Sequence, residues 1–233
     1  MLTGLPSFCA GVYLLSFLSG FPSGVIAAAQ LYKSSAVTKE DAERLAAVSN
    51  NTGPALPVFL IGGVFFGDTS CGLAVYFIQI LSSLICAFVF RKHTRERYEP
   101  VYPEMRSSAL RAVTDSVEGS IRSCAVLCAY VILFSCVSDA LSLLPLNNIL
   151  AYIKPFIEIV SGSRAASGVG TAYSFIAVCS ALSFGGLCVH MQAASVCASH
   201  KLSVSLHLKL KLTQALIAAV SAAVYMLCKA LCT

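Results

Sequence analysis

The sequence predicts an all-α, polytopic membrane protein with discontinuous transmembrane helices. Apolar residues make up 57% of the 233-residue chain and charged residues 12%, which is about half the charged share of a soluble domain. The charges are clustered, so several apolar runs are long enough to cross a bilayer. Two of these runs are interrupted by Gly, Pro and polar residues, at 19–24 and 49–54. Within lipid, such a break is stable only where protein or a water-filled cavity satisfies the opened backbone, so the breaks indicate a binding site.

The first half of the chain contains a predicted hairpin, a broken span and a plain span. Residues 2–31 would be about 45 Å long as one helix, more than the ~30 Å hydrocarbon core requires. We therefore expect a re-entrant helical hairpin there. Residues 45–67 are expected to cross with an unwound point at Gly53 and Pro54, because proline removes a helix hydrogen bond. Residues 69–90 are the next predicted span.

The second half repeats this order after a basic loop and a connecting span within residues 91–140. Residues 142–165 are apolar but contain Pro, Asn and charged residues, which suits a second hairpin better than a lipid-facing span. Residues 172–198 are a second broken span with a glycine pair near its centre. A basic turn at 201–211 then leads to the last span, residues 212–232.

This order of elements predicts two inverted repeats, residues 1–90 and 141–233, which is an architecture typical of secondary transporters. Twelve Lys and Arg residues, Arg44 and Lys211 among them, fall in the predicted inside loops and three fall outside. If residues 142–165 crossed fully, this bias would weaken. We therefore expect a multi-pass protein of the cell membrane with a cytoplasmic N-terminus and an external C-terminus. The net charge of +5 mostly reflects loop topology, so no nucleic-acid partner is expected.

The first group of candidate substrate-binding residues lies at the two early breaks. Its members are Ser19, Gly20, Ser23, Asn50, Asn51 and Thr52. The amides can donate and accept hydrogen bonds, and the N-termini of half-helices favour a carboxylate. Close helix packing through small residues is the alternative interpretation. Polar residues that run directly into proline favour a ligand site.

The second group lies in the second predicted hairpin, and its members are Glu158, Ser161, Gly162, Ser163 and Arg164. A carboxylate in apolar sequence needs a cationic partner, a bound cation or a proton, so Glu158 is a candidate for ion or proton coupling. Arg164 could hold an anionic substrate, because its guanidinium matches carboxylate oxygens. The alternative is an arginine that only extends to lipid headgroups.

The third group consists of Gly185, Gly186, His190 and Gln192. His190 lies ~6–7 Å of helix rise beyond the glycines, close to the middle of its span. Because histidine titrates near neutral pH, His190 and Glu158 could form a proton-coupling pair. A buried histidine bonded to a carbonyl is the alternative. The coupling ion could be a proton or Na⁺.

Catalytic and cofactor motifs are not found in the sequence. It contains no Ser/His/Asp spacing, phosphate loop or H-E-x-x-H motif, so we do not expect an enzyme. Its 11 cysteines include no two C-x-x-C pairs, so we expect neither a metal site nor a cofactor.

Four segments carry a family resemblance. They are S-G-F-P-S-G at 19–24, K-E-D-A-E-R-L at 39–45, S-N-N-T-G-P at 49–54 and S-F-G-G-L-C-V-H-M-Q at 183–192. Together they resemble the YlbJ-type sporulation integral membrane proteins, over nearly the whole chain. That family contains the nucleoside-recognition, or Gate, domain, whose hairpins and inverted repeats are similar to the transport domain of concentrative nucleoside transporters.

The resemblance implies a permease in the mother-cell membrane around the forespore, with dipicolinic acid as its cargo. Dipicolinate is a planar dianion, which Arg164 and two half-helix N-termini would suit. Family members are typically longer, with extra spans before this region, so a scaffold subunit or a homo-oligomer is an expected partner beside the lipid bilayer and the anionic solute. The alternatives are a carrier of a nucleoside-type solute and a non-transporting structural subunit of a sporulation membrane complex.

Overall fold

All regular structure is helical in the part of the chain that the computed structural model describes, which is residues 4–92, 109–144 and 147–232. In chain order the helices are α1 (Cys9–Ser19), α2 (Ser23–Lys33), α3 (Lys39–Val48), a π-helix (Ala55–Phe65), α4 (Thr69–Val89), α5 (Ala109–Leu141), α6 (Asn147–Ile157), α7 (Ile159–Val169), α8 (Ala172–Phe184), α9 (Gly186–Ser199) and α10 (Ser205–Cys232).

Within the described residues, four stretches are long and apolar enough to cross a membrane. They are Thr69–Val89, Val113–Leu141, Ala172–Ser199, which joins α8 to α9, and Ser205–Cys232. Large apolar side chains on several helices face outward, Leu18 at 71% exposure for example, as expected of a surface in contact with lipid. The predicted all-α, multi-pass membrane protein is confirmed at this level.

The first predicted hairpin is a pair of 11-residue helices, α1 and α2, which pack against each other. The chain reverses through Gly20, Phe21 and Pro22. Gly20 has a φ of +78°, a conformation that suits glycine because it lacks a Cβ. The Ser23 hydroxyl donates to the Gly20 carbonyl over 2.6 Å and so ties the start of α2 to the turn.

The first predicted broken span corresponds to α3 followed by the π-helix. Thr38 caps α3, because its hydroxyl accepts from the Asp41 N–H over 3.3 Å. The chain leaves the helix at Ser49, somewhat before the predicted point at Gly53 and Pro54, and becomes helical again at Ala55. The following helix has the wide π winding, which elsewhere appears mostly as single turns, often at functional sites.

The second predicted hairpin, residues 142–165, corresponds to α6 and the first part of α7, and the break between them is at Glu158. The polar run at 161–164 lies inside α7. Glu158 caps α7, because its carboxylate accepts from the N–H groups of Val160 (2.9 Å) and Ser161 (2.6 Å). A carboxylate at this position satisfies free N–H groups and complements the positive helix end. Residues 145 and 146, within the predicted hairpin, lie outside the described residues.

The remaining helices differ from the expected bounds in two places. The basic loop predicted before the connecting span falls partly on residues 93–108, outside the described residues, and from Ala109 onward the chain belongs to α5. The last helix begins at Ser205, seven residues before the predicted start of its span. Lys211, expected in a basic turn, is therefore part of α10 and is buried. The predicted broken span at 172–198 is interrupted at Gly185, the first residue of the predicted glycine pair.

Two apolar clusters hold the helices together. One gathers side chains of α1, α2 and α3 with Cys86, Ala193 and Leu210. The other joins the π-helix, α4, α7, α8 and α10. Because α10 packs along both α4 and α8 and also touches α3, it links the two halves of the chain. The four breaks lie within this packed assembly.

Candidate functional site

A cavity of about 280 Å³ lies where the chain breaks meet. Its lining comes from the reversal between α1 and α2, the break between α3 and the π-helix, the break at the start of α7, the first turns of α9 and one face of α5. Five predicted site residues line it: Ser19, Gly20, Thr52, Glu158 and Gln192. The structure thus brings together residues that are up to 173 positions apart in the chain (19 to 192).

The second hairpin touches the second broken span through a glycine. A Cβ at Gly186, where φ is +63°, would lie 3.1 Å from Ile159 Cγ1 and 3.5 Å from the carbonyl oxygen of Ile157. Only a residue without a side chain allows this approach without a shift of its neighbours. Gly186 therefore positions the start of α9 against the start of α7.

Glu158 is the carboxylate among the described residues that line the cavity. It is 2% exposed, and its two oxygens accept from two backbone N–H groups of α7. In the part of the chain that the structure describes, Arg44 pairs with Glu40 and Asp41, and Lys92 pairs with Glu40. None of these ion pairs includes Glu158, so none neutralises its charge. The positive end of α7 is the compensation that its carboxylate receives within the described structure.

Three helix N-termini point their first turns at the cavity. The π-helix contributes Ala55 and Leu56, α7 contributes Ile159 and Val160, and α9 contributes Cys188. First-turn N–H groups have no partner within their own helix, and together they give a helix start a partial positive charge. This arrangement favours a negatively charged or strongly hydrogen-bonding ligand.

Gln192 supplies an unused hydrogen-bonding atom at the cavity. The side chain is 3% exposed; its Nε2 lies 3.3 Å from Cys188 Sγ, and its Oε1 is buried without a partner among the residues described. Buried polar atoms are rarely left unpaired, so a ligand or water would complete this group.

Other predicted site residues lie away from this cavity. Ser23 lines a neighbouring cavity of about 730 Å³ between α2 and α5. Ser161 and Ser163 lie in the first turns of α7, with hydroxyls that are buried and unpartnered in the described structure. Gly162 packs against the backbone of α6. Arg164 is on the exposed face of α7. Their proposed roles in substrate binding stay predictions.

Asn50 and Asn51 belong to a buried polar cluster with residues of α10. Asn51 Oδ1 accepts from Lys211 Nζ (3.3 Å) and from Gln214 Nε2 (3.4 Å). Asn50 Nδ2 lies 3.4 Å from His207 Nε2. All five side chains are at most 3% exposed. The break between α3 and the π-helix is thus held on one side by α10, while its residues 52 and 53 line the cavity on the other.

His190 faces this cluster and not the cavity lining. Its ring centroid lies 5.2 Å from that of His207 and 4.3 Å from that of Phe184, and it hydrogen-bonds to the backbone of Phe184. Its Nε2 is buried without a partner within the described ranges. The structure therefore gives no direct contact between His190 and Glu158, and their pairing stays a prediction.

Sequence reasoning missed His207, Lys211 and Gln214. They are spaced four and three residues apart, so they share one face of α10. A polar stripe of this kind, running into an apolar helix, was the available signal. The charge count placed Lys211 in a loop and so concealed it. Among the residues described, no group of three or more His, Cys, Asp or Glu side chains could hold a metal ion.

One curated relative matches most of this chain. YlbJ, a sporulation integral membrane protein of Bacillus subtilis (strain 168), is 24% identical over an alignment of 238 positions. The chain is similar to YlbJ. The match covers 82% of the chain and confirms the resemblance that the four motifs predict. It covers 57% of YlbJ, so the chain spans less than two thirds of the length of that relative. No protein-family model matches the chain, and no solved structure matches it significantly.

Proposed function

We propose that the chain is the solute-binding part of a secondary transporter for a small anionic metabolite. The observation that carries this proposal is the cavity of about 280 Å³ at the meeting point of three chain breaks and the first turns of α9. Opened backbone within apolar sequence needs a cavity or protein to satisfy it, and such backbone lines this cavity. Ligand pockets start at roughly this volume, which suits a solute with one ring.

The helix N-termini at the cavity favour a negatively charged solute. Among the described residues that line the cavity, none is Lys or Arg, so the positive potential there comes from helix starts. The starts of the π-helix and α9 are the ones left for a solute, because Glu158 already binds the first N–H groups of α7. Half-helix N-termini bind the anionic groups of substrates in other transporters with discontinuous helices. We therefore assign the anion to these ends rather than to Arg164, which is exposed.

Glu158 is the proposed coupling residue. An anionic solute beside an ionised, buried carboxylate is repelled unless a proton or a cation enters with it. Because Glu158 lines the cavity and has no cationic side chain paired to it in the described structure, a proton or Na⁺ bound there would favour solute binding. This arrangement amounts to symport, in which each ligand raises the affinity for the other.

Dipicolinic acid is the first cargo to test. The chain is similar to YlbJ, whose name places it in sporulation membranes, and the family resemblance implies dipicolinate movement at the mother-cell membrane around the forespore. Its two carboxylates match the several helix starts at the cavity.

A nucleoside-type solute is the second candidate. Ser19 and Thr52 contribute hydroxyl groups to the cavity, and Gln192 contributes an amide. The carboxylate there is that of Glu158. These groups suit a neutral solute that carries hydroxyl groups. Competition between uridine and dipicolinate for the same site distinguishes the two.

We also propose that the chain contains two inverted repeats and that a scaffold subunit contacts them. The order of paired short helices, broken helix and long helix occurs twice, at α1 to α4 and at α6 to α10, which supports inverted repeats that move as a unit. Only 6% of the most apolar part of α5 is buried in the described structure. This helix therefore has a face that is free to contact lipid or a scaffold subunit. A structural subunit without transport remains the third alternative.

Binding to the purified chain tests this proposal. Dipicolinate affinity is measured by calorimetry for the wild type, for Gln192→Ala and for Arg164→Ala as the control outside the cavity. We expect Gln192→Ala to weaken binding by about tenfold, the effect of losing one hydrogen bond from the second N–H of Gln192 Nε2 to a carboxylate of the solute, and Arg164→Ala to change it less than twofold.

Other results of these measurements would contradict the proposed site, solute or function. If Arg164→Ala weakens binding more than Gln192→Ala does, the anion does not lie in this cavity. Uridine that displaces dipicolinate, or binds where dipicolinate does not, favours the neutral solute. If neither binds, and proteoliposomes take up neither, the structural-subunit alternative replaces the transporter.

A further inference from the structure

Lys211 is a buried lysine without an acidic partner. It is 1% exposed, and its Nζ donates to Gln214 Oε1 over 2.8 Å and to Asn51 Oδ1 over 3.3 Å. Both acceptors are neutral amides, and no ion pair within the described ranges includes Lys211. A buried charge is costly unless it is paired or well hydrogen-bonded, so this position needs a physical reason.

The two atoms that Lys211 binds accept hydrogen bonds but carry no formal negative charge. His207 precedes it by one helical turn and binds the backbone of Ala46 and the Asn50 amide. Asn50 Oδ1 and His190 Nε2 are buried without partners among the residues described. Neutral oxygens arranged in this way are the kind of ligand that replaces the hydration shell of a monovalent cation.

The position of this cluster also favours a cation. Asn51 lies in the break directly after α3, and its Nδ2 donates to the carbonyl oxygen of Val48, the last residue of that helix. The C-terminal end of a helix carries a partial negative charge. In transporters with discontinuous helices, such ends and unwound segments are where the coupling cations bind.

We infer that the Lys211 ammonium is a tethered cation, which fills a monovalent-cation site of amide oxygens at the first chain break. It holds that break between α3 and α10 without a bound metal ion. The inference concerns the fold around Asn51 and is independent of the solute and of any cation at Glu158.

Two substitutions of Lys211 separate the effect of its charge from the effect of its volume. Lys211→Ala leaves space for a small ammonium ion, whereas Lys211→Met fills the space without charge. Thermal unfolding of the purified full chain is followed in choline, sodium and methylammonium chloride at equal ionic strength. We expect both variants to have a lower Tm than the wild type in choline. Methylammonium or Na⁺ should then raise the Tm of Lys211→Ala saturably, and not that of Lys211→Met.

A second pair of variants decides the question even if Lys211→Ala does not fold. Gln214→Glu places a carboxylate against the ammonium without a change in size. It exchanges the 3.4 Å hydrogen bond from Gln214 Nε2 to Asn51 Oδ1 for an ion pair, and because the ion pair is the stronger contact we expect Tm to rise by about 2–4 °C. Gln79→Glu is the control, because Gln79 is equally buried at 1% exposure but its side-chain nitrogen and oxygen have no partner among the described residues. That substitution should lower Tm.

Three outcomes overturn the inference. The first is a Lys211→Met variant as stable as the wild type, which would show that the charge is dispensable. The second is an equal response of the Ala and Met variants to the three salts. The third is a fall in Tm for Gln214→Glu as large as that for Gln79→Glu, which would mean that no cation faces residue 214.

Discussion

Gly20 and Gly53 bring the first two chain breaks into backbone contact. A Cβ at Gly20 would lie 3.0 Å from the backbone nitrogen of Gly53, and a Cβ at Gly53 would lie 2.7 Å from the carbonyl oxygen of Leu18. Real Cβ atoms essentially never come as close as 2.7 Å to a backbone atom. The hairpin α1–α2 and the start of the π-helix therefore meet at this pair, on the wall of the cavity.

Substitution of Gly53 tests this contact. In Gly53→Ala the added methyl group must push the hairpin away, and we expect a loss of roughly 1–3 kcal/mol in the free energy of unfolding together with weaker solute binding. Gly63→Ala is the control, because the nearest atoms to a Cβ there are 3.8 Å away. The measurements are Tm and calorimetric binding. Equal effects of the two substitutions would mean that the two breaks are not in contact.

The positions of the breaks could largely be predicted from the sequence, since local chemistry sets them. Glycine at a positive φ, as at Gly20 and Gly185, and proline after a polar run, as at Pro54, disrupt a helix regardless of the rest of the fold. The same reasoning gave Gly162 a place in a candidate binding site because it lies in a polar run, but it gave no reason to expect the break at Glu158. Gly162 serves helix packing instead.

The partners of the buried polar residues could not be predicted in the same way, because they come from distant parts of the chain. Lys211 and Asn51 are 160 residues apart, and only the packing of α10 against α3 joins them. Arg44 shows the same effect: it was counted as a loop charge, yet it is 4% exposed and pairs with Glu40 and Asp41. A charge count along a sequence does not separate such residues from true loop charges.

Glu158 can be tested for a role beyond capping α7. Glu158→Gln keeps an acceptor oxygen for the helix start but removes the negative charge. We expect a change of Tm below about 4 °C, equivalent to about 1 kcal/mol. If Glu158 couples solute to a proton or Na⁺, the same substitution should abolish the dependence of dipicolinate affinity on pH and Na⁺.

The control for this substitution is a capping carboxylate outside the cavity. Asp68 caps α4 by accepting from the Ser70 N–H over 2.8 Å, and it does not line the cavity. Asp68→Asn should leave the pH and Na⁺ dependence of binding as in the wild type. A coupling role for Glu158 is rejected if both variants keep that dependence, or if both lose it.

Gly162 and Gly168 form a matched pair within α7. A Cβ at Gly162 would collide with the backbone of Lys154 and Pro155 in α6, whereas a Cβ at Gly168 would meet nothing within 4 Å. We expect Gly162→Ala to destabilise the protein by roughly 1–3 kcal/mol, because α6 and α7 must separate. Gly168→Ala should be neutral or stabilising by up to about 1 kcal/mol, because alanine favours a helix. The Tm values of the two variants in detergent measure this, and a stable Gly162→Ala variant would contradict the close packing.

The start of α3 is held by an ion pair whose effect depends on pH. Lys92 Nζ donates to Glu40 Oε1 over 2.6 Å, and Arg44 Nη2 lies 3.1 Å from the same oxygen. The hydrogen bond from Lys92, and then the charge of Lys92, lower the pKa of Glu40 below its ordinary value. Because the folded pKa is the lower one, the stabilisation is fully present above the unfolded pKa. It is lost as the pH falls through the folded pKa.

Glu40→Gln should therefore lower Tm slightly at about pH 7, and the difference from the wild type should shrink as the pH falls through the acid range to about pH 3. The effect is small because Glu40 and Lys92 are well exposed. Lys92→Gln should reproduce the loss at about pH 7. Lys33→Gln is the control, since Lys33 is exposed and belongs to none of the ion pairs in residues 4–92. A Tm difference for Glu40→Gln that is unchanged at about pH 3 would show that the side chain acts through packing rather than charge, because a protonated carboxyl and an amide are then both neutral.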